Sequence, residues 1–358
     1  TTSTSISSGS LSNSAGATLV VGGTITATVF TCTEAGNTVR YTGTVNQTGK
    51  VPTAGAGQYA NLTINNSGGA GNNIVSFNSD FNVTGTLYIQ TGVLLVSGSA
   101  TNLTGAGAVT MDAGTEWRIQ TTTQNVPEIS GVYTLAAGSL INFNNAGTQN
   151  IQGVLGSGSA SYRNVEFSNS GIKTLVANAT VSGNLTISGT AQLDASATNY
   201  NTMLAGNWNA SSANADPFVQ RSGTVTFNGG AAQTISNATA QETFYNLTIA
   251  NTSGGISFLN GTDVNATNTL TFTSGVVTTG TDLLILSNTS AANLVYTNGF
   301  VNGNFRRYIV SNTSTYLFPI GNGTASADRH QISFVNNSLA GVSYLDASVS
   351  DFTQLTPN

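Results

Sequence analysis

The segment Tyr59-Ala-Asn61-Leu-Thr-Ile64-Asn-Asn-Ser-Gly68 decides how the chain reads, because it returns as Tyr162-Arg-Asn164-Val-Glu-Phe167-Ser-Asn-Ser-Gly171 and as Tyr245-Asn246-Leu-Thr-Ile249-Ala-Asn-Thr-Ser-Gly254. In every copy two apolar residues alternate with a polar one: Leu62 and Ile64, Val165 and Phe167, Leu247 and Ile249. A period of two marks a half-buried strand, and the Asn/Ser/Thr-Gly cluster behind it marks a turn.

Working outward, a first element precedes each copy: Val39-Arg-Tyr41-Thr-Gly-Thr-Val-Asn-Gln47, Ile141-Asn-Phe143-Asn-Asn-Ala-Gly-Thr-Gln149 and Val225-Thr-Phe227-Asn-Gly-Gly-Ala-Ala-Gln233, with an aromatic six positions before a Gln each time. A third element follows: Val83-Thr-Gly-Thr-Leu87-Tyr-Ile89, Val181-Ser-Gly-Asn-Leu185-Thr-Ile187 and, more loosely, Ala266-Thr-Asn-Thr-Leu270-Thr-Phe272. Gly92, Gly189 and Gly275 come next, each leading into more strand-like residues. Copies one and two are 102 residues apart and copies two and three 84, measured between Gln47, Gln149 and Gln233. The difference predicts an insertion around Met111 to Pro127, where Trp117 and Arg118 sit.

Within a copy, strand signals return about every 20 to 25 residues, the length of a solenoid coil rather than the spacing of a sandwich. The fold expected is all-β, a right-handed parallel β-helix in which interior Val, Ile, Leu, Phe and Ala stack coil on coil, Thr, Ser and Asn face out, and turn Asn residues form ladders. With coils of about 22 residues rising about 4.8 Å, the chain would make roughly sixteen coils and a rod of about 75 Å. The alternative is a string of tandem β-sandwiches. The expected organisation is a solenoid over 1–295, built from degenerate repeats at about 39–105, 141–210 and 225–290, then a C-terminal β-rich cap or β-sandwich over 296–358.

Composition agrees. Of 358 residues only 6% are charged while 39% are apolar, with 41 glycines and a net charge of −5. Ordinary globular chains carry about 25% charged residues. Helices with solvated Lys/Glu faces cannot be built from such a supply; strands and turns can. Disorder would need low hydrophobicity joined to high net charge, and neither is present. The lone Cys32 excludes an internal disulfide framework and a Cys-based zinc site. No apolar run reaches the ~18 residues of a membrane span, and the acidic balance, with Arg306-Arg307 as the most basic stretch, argues against nucleic acid. The sequence opens at Thr1 without an initiator Met or a leader, and reads as a processed form.

These repeats resemble the repeat regions of very large secreted surface proteins of Bacteroidota. The likeness is carried by Val225-Thr-Phe227-Asn-Gly-Gly-Ala-Ala-Gln233-Thr-Ile235, Phe244-Tyr-Asn246-Leu-Thr-Ile249 and Leu270-Thr-Phe272-Thr-Ser-Gly275-Val, ending in Phe300-Val-Asn-Gly303-Asn-Phe-Arg306-Arg307 and Phe318-Pro319-Ile320-Gly321, and it covers about residues 39 to 335. The motifs are short and degenerate one by one, but their order and spacing agree. The resemblance implies export by the type IX route and an adhesive role at the cell surface. The family's C-terminal secretion domain is not recognisable before Asn358, which reads as a fragment or a processed chain. It supplies no catalytic residues.

A β-helix enzyme acting on polysaccharides needs paired carboxylates, or acidic calcium ligands beside a basic group. The fourteen acids are scattered, with Asp112 and Glu116 the only close pair in the repeats. Glu116-Trp117-Arg118 reads either as a sugar-stacking and charge site or as a solvated ion pair beside a half-buried indole. His330, the single histidine, stands between Arg329 and Gln331 and supports no repeated mechanism. Arg306 and Arg307 read as one ion-paired and one solvated arginine, against an anionic-ligand site. Sequons such as Asn61, Asn246 and Asn288 arise by chance in an Asn/Thr-rich chain.

The expectation is a non-enzymatic, cofactor-free structural or adhesive module of the cell exterior, partnered by surface glycans or by itself. Glycan contacts would fall to Trp117, Arg118 and Trp208, with Tyr200 beside them. The classes weighed against it are a carbohydrate-binding module, an enzyme, and ice binding through flat Thr arrays such as Thr121 to Thr123. Open β-edges at the coil ends make head-to-tail assembly into a filament a further expectation, through first strands around Leu19-Val-Val-Gly-Gly-Thr-Ile25.

Overall fold

A computed structural model describes residues 9–55, 57–98, 101–122, 125–157, 160–310, 314–335 and 343–349. It is 53% strand and 2% helix, a parallel β-solenoid of about 13 turns. Ladders run parallel from each turn to the next, so Leu62 lies between Val39 and Leu87. That register leaves no place for tandem sandwiches. The turns are fewer than the sixteen expected because many are longer than the coil assumed from the sequence: Asn61 pairs with Thr86, and Leu140 with Asn164. The chain forms two compact units, Thr1–Asp194 and Ala195–Asn358.

In the first unit, alternation places one set of side chains inside, where identical positions stack. One column runs Tyr41, Ile64, Ile89, Met111, Leu135, and a second runs Phe77, Val96, Ile119, Phe143, Phe167, Ile187. The three elements of a repeat are thus three successive turns of one column. Each fully buried Leu, Ile or Phe in such a column contributes about 1.5–3 kcal/mol. The second copy is displaced by one face, since Phe143 stacks beyond Phe77 and not beyond Tyr41.

The segment expected as an insertion is part of the regular ladder. Ala108–Met111 pairs with the strand Phe81–Thr91, and Glu116–Ile119 pairs with Val93–Val96. The additional residues complete another turn and carry the second copy onto the neighbouring face.

In the second unit the columns run Leu204, Phe227, Ile249, Phe272 and Ala266, Leu286, Arg307. Parallel pairing continues beyond residue 295, since Phe300–Tyr308 lies along Val276–Leu286. Among the described strands only the last are antiparallel: Arg329–Val335 on Thr315–Gly321, and Tyr344–Ala347 on Phe300–Tyr308.

Corners repeat as the strands do. Gly92, Gly189 and Gly275, which close the third element, have φ of +92°, +65° and +100°. A Cβ at Gly92 or Gly275 would also stand 2.5 or 2.7 Å from a backbone oxygen, so the sharp turn requires glycine there.

Candidate functional site

The most regular polar device is the Gln that ends each first element. Gln47 accepts from the Gly43 N–H at 2.8 Å and donates to Val21 O and Gly23 O, one turn back, at 2.9 and 3.0 Å. Gln149 bonds the Asn145 N–H and the carbonyls of Ile119 and Thr121 in the same way. Gln233 does so with the Gly229 N–H and the carbonyls of Leu204 and Gly206. All three amides are buried, and each satisfies backbone groups that a corner would otherwise strand.

Asn66 and Asn251 complete two of these corners by donating to Val45 O and Ala231 O. In the second copy a fully buried Lys173 takes that task, its ammonium donating to Asn145 O, Gly147 O and Ser170 O. It occupies the ladder position held by Val75 and Ile256 in the other copies. Burial pushes its pKa down to about 8.

Asparagine forms a second ladder. Asn37 donates to Asn13 O and Asn61 to Asn37 O, both at 2.8 Å, while Asn61 Oδ1 accepts from the Thr86 N–H. Asn288 donates to Asn268 Oδ1, and Asn268 to Asn246 Oδ1. The sequon asparagines Asn61, Asn246 and Asn288 are therefore rungs between turns.

The tryptophans expected to touch glycans are interior. Trp117 is 1% exposed, stacked on Tyr133 with centroids 6.5 Å apart, and its indole N–H has no hydrogen-bond partner among the described residues. Trp208 is 0% exposed among Phe218 and Phe244. Alternation explains both, because Trp117 shares the phase of Ile119, and Trp208 that of Ala210. Tyr200 is half-buried. Neither tryptophan can stack on a sugar, which corrects the expected site.

Arg118 does face outward. It makes a bidentate pair with Glu116 at 2.7 and 2.8 Å, a bond that raises its pKa. Glu116 also accepts from Asn142, which in turn accepts from Ser168. Across the corner, Asp112 accepts from the Tyr88 hydroxyl at 2.7 Å, so the two acids serve separate partners. Tyr88 shares the outer face of its sheet with Arg40, which donates to Gln90 Oε1 at 2.8 Å. An aromatic ring and a guanidinium, flanked by amide and carboxylate groups, form a patch that offers both a stacking face and planar hydrogen bonds. The residues missed by sequence reasoning, Tyr88, Arg40 and Gln90, lie at outward phases of strands whose alternation was already visible.

The C-terminal arginines separate as well. Arg306 pairs with Asp346 at 2.7 Å and lies 4.1 Å from the Tyr344 ring centroid. Arg307 is wholly buried, where the second arginine of the pair was expected in solvent: it donates to Leu317 O and Ala291 O and lies against the Tyr316 and Phe318 rings. Burial lowers its pKa to about 10. His330 is exposed, opposite Ile320. In the threonine run Thr121 is buried, and Thr123 lies outside the described residues.

Among the described residues no three His, Cys, Asp or Glu side chains gather in a metal-binding group, and no helix is long and apolar enough to cross a membrane. Compared with protein-family models, curated proteins and solved structures, the chain gives no match.

Proposed function

We propose that the chain is a structural and adhesive element of a bacterial cell exterior, exported as the resemblance of its repeats implies. The observation that carries this reading is the recurrence of buried corner bonds. Gln47, Gln149 and Gln233 spend both amide N–H groups on tying one turn to the previous one, and their oxygens on a backbone N–H of the same corner. Side chains repeated for that purpose serve the persistence of a scaffold, since removing one leaves buried backbone groups unpaired. Adhesion falls to the outer face, where Tyr88, Arg40, Gln90 and Asp112 present a polar patch suited to surface glycans.

The test is immunogold labelling of intact producer cells, followed by adhesion assays on a strain lacking the chain. Labelling without permeabilisation and a loss of attachment are expected. Signal confined to permeabilised cells would refute the surface assignment.

A further inference from the structure

Among the described residues, both terminal layers of the solenoid leave interior positions without a covering strand. At the beginning, Leu19 heads the column that continues through Val39, Leu62 and Leu87. Those three are 0% exposed, but Leu19 is only half-buried, as is Leu11. Thr18–Val21 pairs with Thr38–Tyr41, and Ser10–Ser12 with Val29–Thr31; among the described residues neither has a strand on its other side. Natural edge strands are guarded by Lys, Glu or Pro. Residues 9 to 33 contain no charged residue and no proline.

At the other end, Arg329–Val335 is exposed at six of its seven residues. It pairs antiparallel with Thr315–Gly321, which puts Ile332 opposite Phe318 and Phe334 opposite Tyr316. Residues paired across a ladder share a face, and Phe318 and Tyr316 are buried. Ile332 and Phe334 therefore continue the interior layer, yet Ile332 is 49% exposed. The strand's one permanent charge, Arg329, is held at its start by Tyr296 and Asn298.

The geometry points to a second copy of this chain as the occupant of both edges: Arg329–Val335 of one molecule adds as a strand to Thr18–Val21 of the next, seating Ile332 and Phe334 over Leu19 and Val21. One chain thus carries a charge-free receptor edge and an exposed donor strand, each with the half of an apolar layer that the other lacks. The contact is heterologous, so it passes from copy to copy and propagates into a filament wherever the rotation between copies does not close a ring. This inference rests on the reading of the chain as a surface scaffold and specifies how that scaffold is extended.

The test uses two full-length variants, Leu19→Asp and Ile332→Asp, each of which places a carboxylate at one edge and leaves the other intact. Circular dichroism and thermal unfolding like the parent's establish that each is folded. If Leu19→Asp unfolds its first turn, Val20→Asp, at an exposed position of the same edge strand, replaces it. By light scattering the parent should form chains that lengthen with concentration, and each variant alone should have the mass of one chain. Their equimolar mixture should have the mass of two, because only one good donor and one good receptor remain. A parent that stays monomeric at high concentration overturns the inference while surface labelling still tests the scaffold reading. Polymers of undiminished length from Ile332→Asp overturn the assignment of the donor strand.

Discussion

Trp208 donates its indole N–H to Glu242 Oε2 at 2.9 Å, and both side chains are buried inside the second unit. Asn237 donates to the same oxygen at 2.9 Å, and among the described residues none of the hydrogen bonds to this carboxyl comes from a cation. Burial pushes the Glu242 carboxyl up to about 8, more than these hydrogen bonds pull it down.

Stability should therefore depend on pH in an unusual direction for an acid. The unfolded carboxyl loses its proton near 4.5, while the folded one keeps it to about 8. Stability is full below pH 4.5 and falls as pH rises toward 8, by at most about 1.4 kcal/mol per pH unit. Glu242→Gln keeps an acceptor for Trp208 and Asn237 and removes this slope. Urea unfolding at pH 4 and pH 9 checks it: the variant should match the parent within about 1 kcal/mol at pH 4 and exceed it by about 1–3 kcal/mol at pH 9. Parallel pH profiles would show that Glu242 ionises freely.

Lys173 acts in the opposite sense and in another window. Its folded pKa of about 8 lies below the ordinary 10.5, so the unfolded chain binds more protons between those values. Its contribution to stability rises with pH from 8 to 10.5. Lys173→Met should lose that rise and, although more apolar, should destabilise by about 1–3 kcal/mol at pH 7, because Asn145 O, Gly147 O and Ser170 O lose their donor. A methionine variant as stable as the parent would mean that water serves these carbonyls.

The corner glutamines offer a test of donor against acceptor. Gln233→Ala should cost about 2–4 kcal/mol, since the Gly229 N–H and two carbonyls are left buried and unpaired. Gln233→Glu retains the acceptor but turns oxygen toward Leu204 O and Gly206 O. It should be at least as damaging at pH 7 and recover partly at pH 4, where the carboxylic acid donates once. Denaturant midpoints at the two pH values decide this.

On the outer face, Tyr88→Ser should leave the melting temperature within a few degrees and weaken attachment to glycan-coated surfaces by at least several-fold. Trp117→Phe, an interior change, should not affect attachment. Equal loss in both variants would assign adhesion to overall stability rather than to the patch.

Much of this was legible in the sequence. The period-two alternation, and the return of Leu62 as Leu87 at the interval of one coil, led directly to a parallel solenoid. The glycan site was misplaced because tryptophan was weighed by its chemistry and not by its phase: Glu116-Trp117-Arg118-Ile119 already puts Trp117 beside Ile119 on the inward side. The same rule turns Arg307 inward with Phe305. What no alternation announces is compensation at a distance, such as Lys173 filling a corner that Asn66 and Asn251 fill elsewhere, because it depends on three carbonyls brought together only by stacking. The insertion near Met111 was misread for a related reason, since unequal spacing between copies reflects a change of face as readily as an added loop.

The bonds of Gln47, Gln149 and Gln233 also have a direction. Each donates toward the N-terminus, to carbonyls of the turn already laid down, while its oxygen accepts within its own corner and, at Gln47 and Gln233, also from Asn66 and Asn251 of the turn that follows. A corner of this kind cannot be completed until the turn before it exists. The chain is thereby suited to vectorial folding, winding itself up in step with its emergence from synthesis or a translocation pore, each finished coil serving as the template for the next.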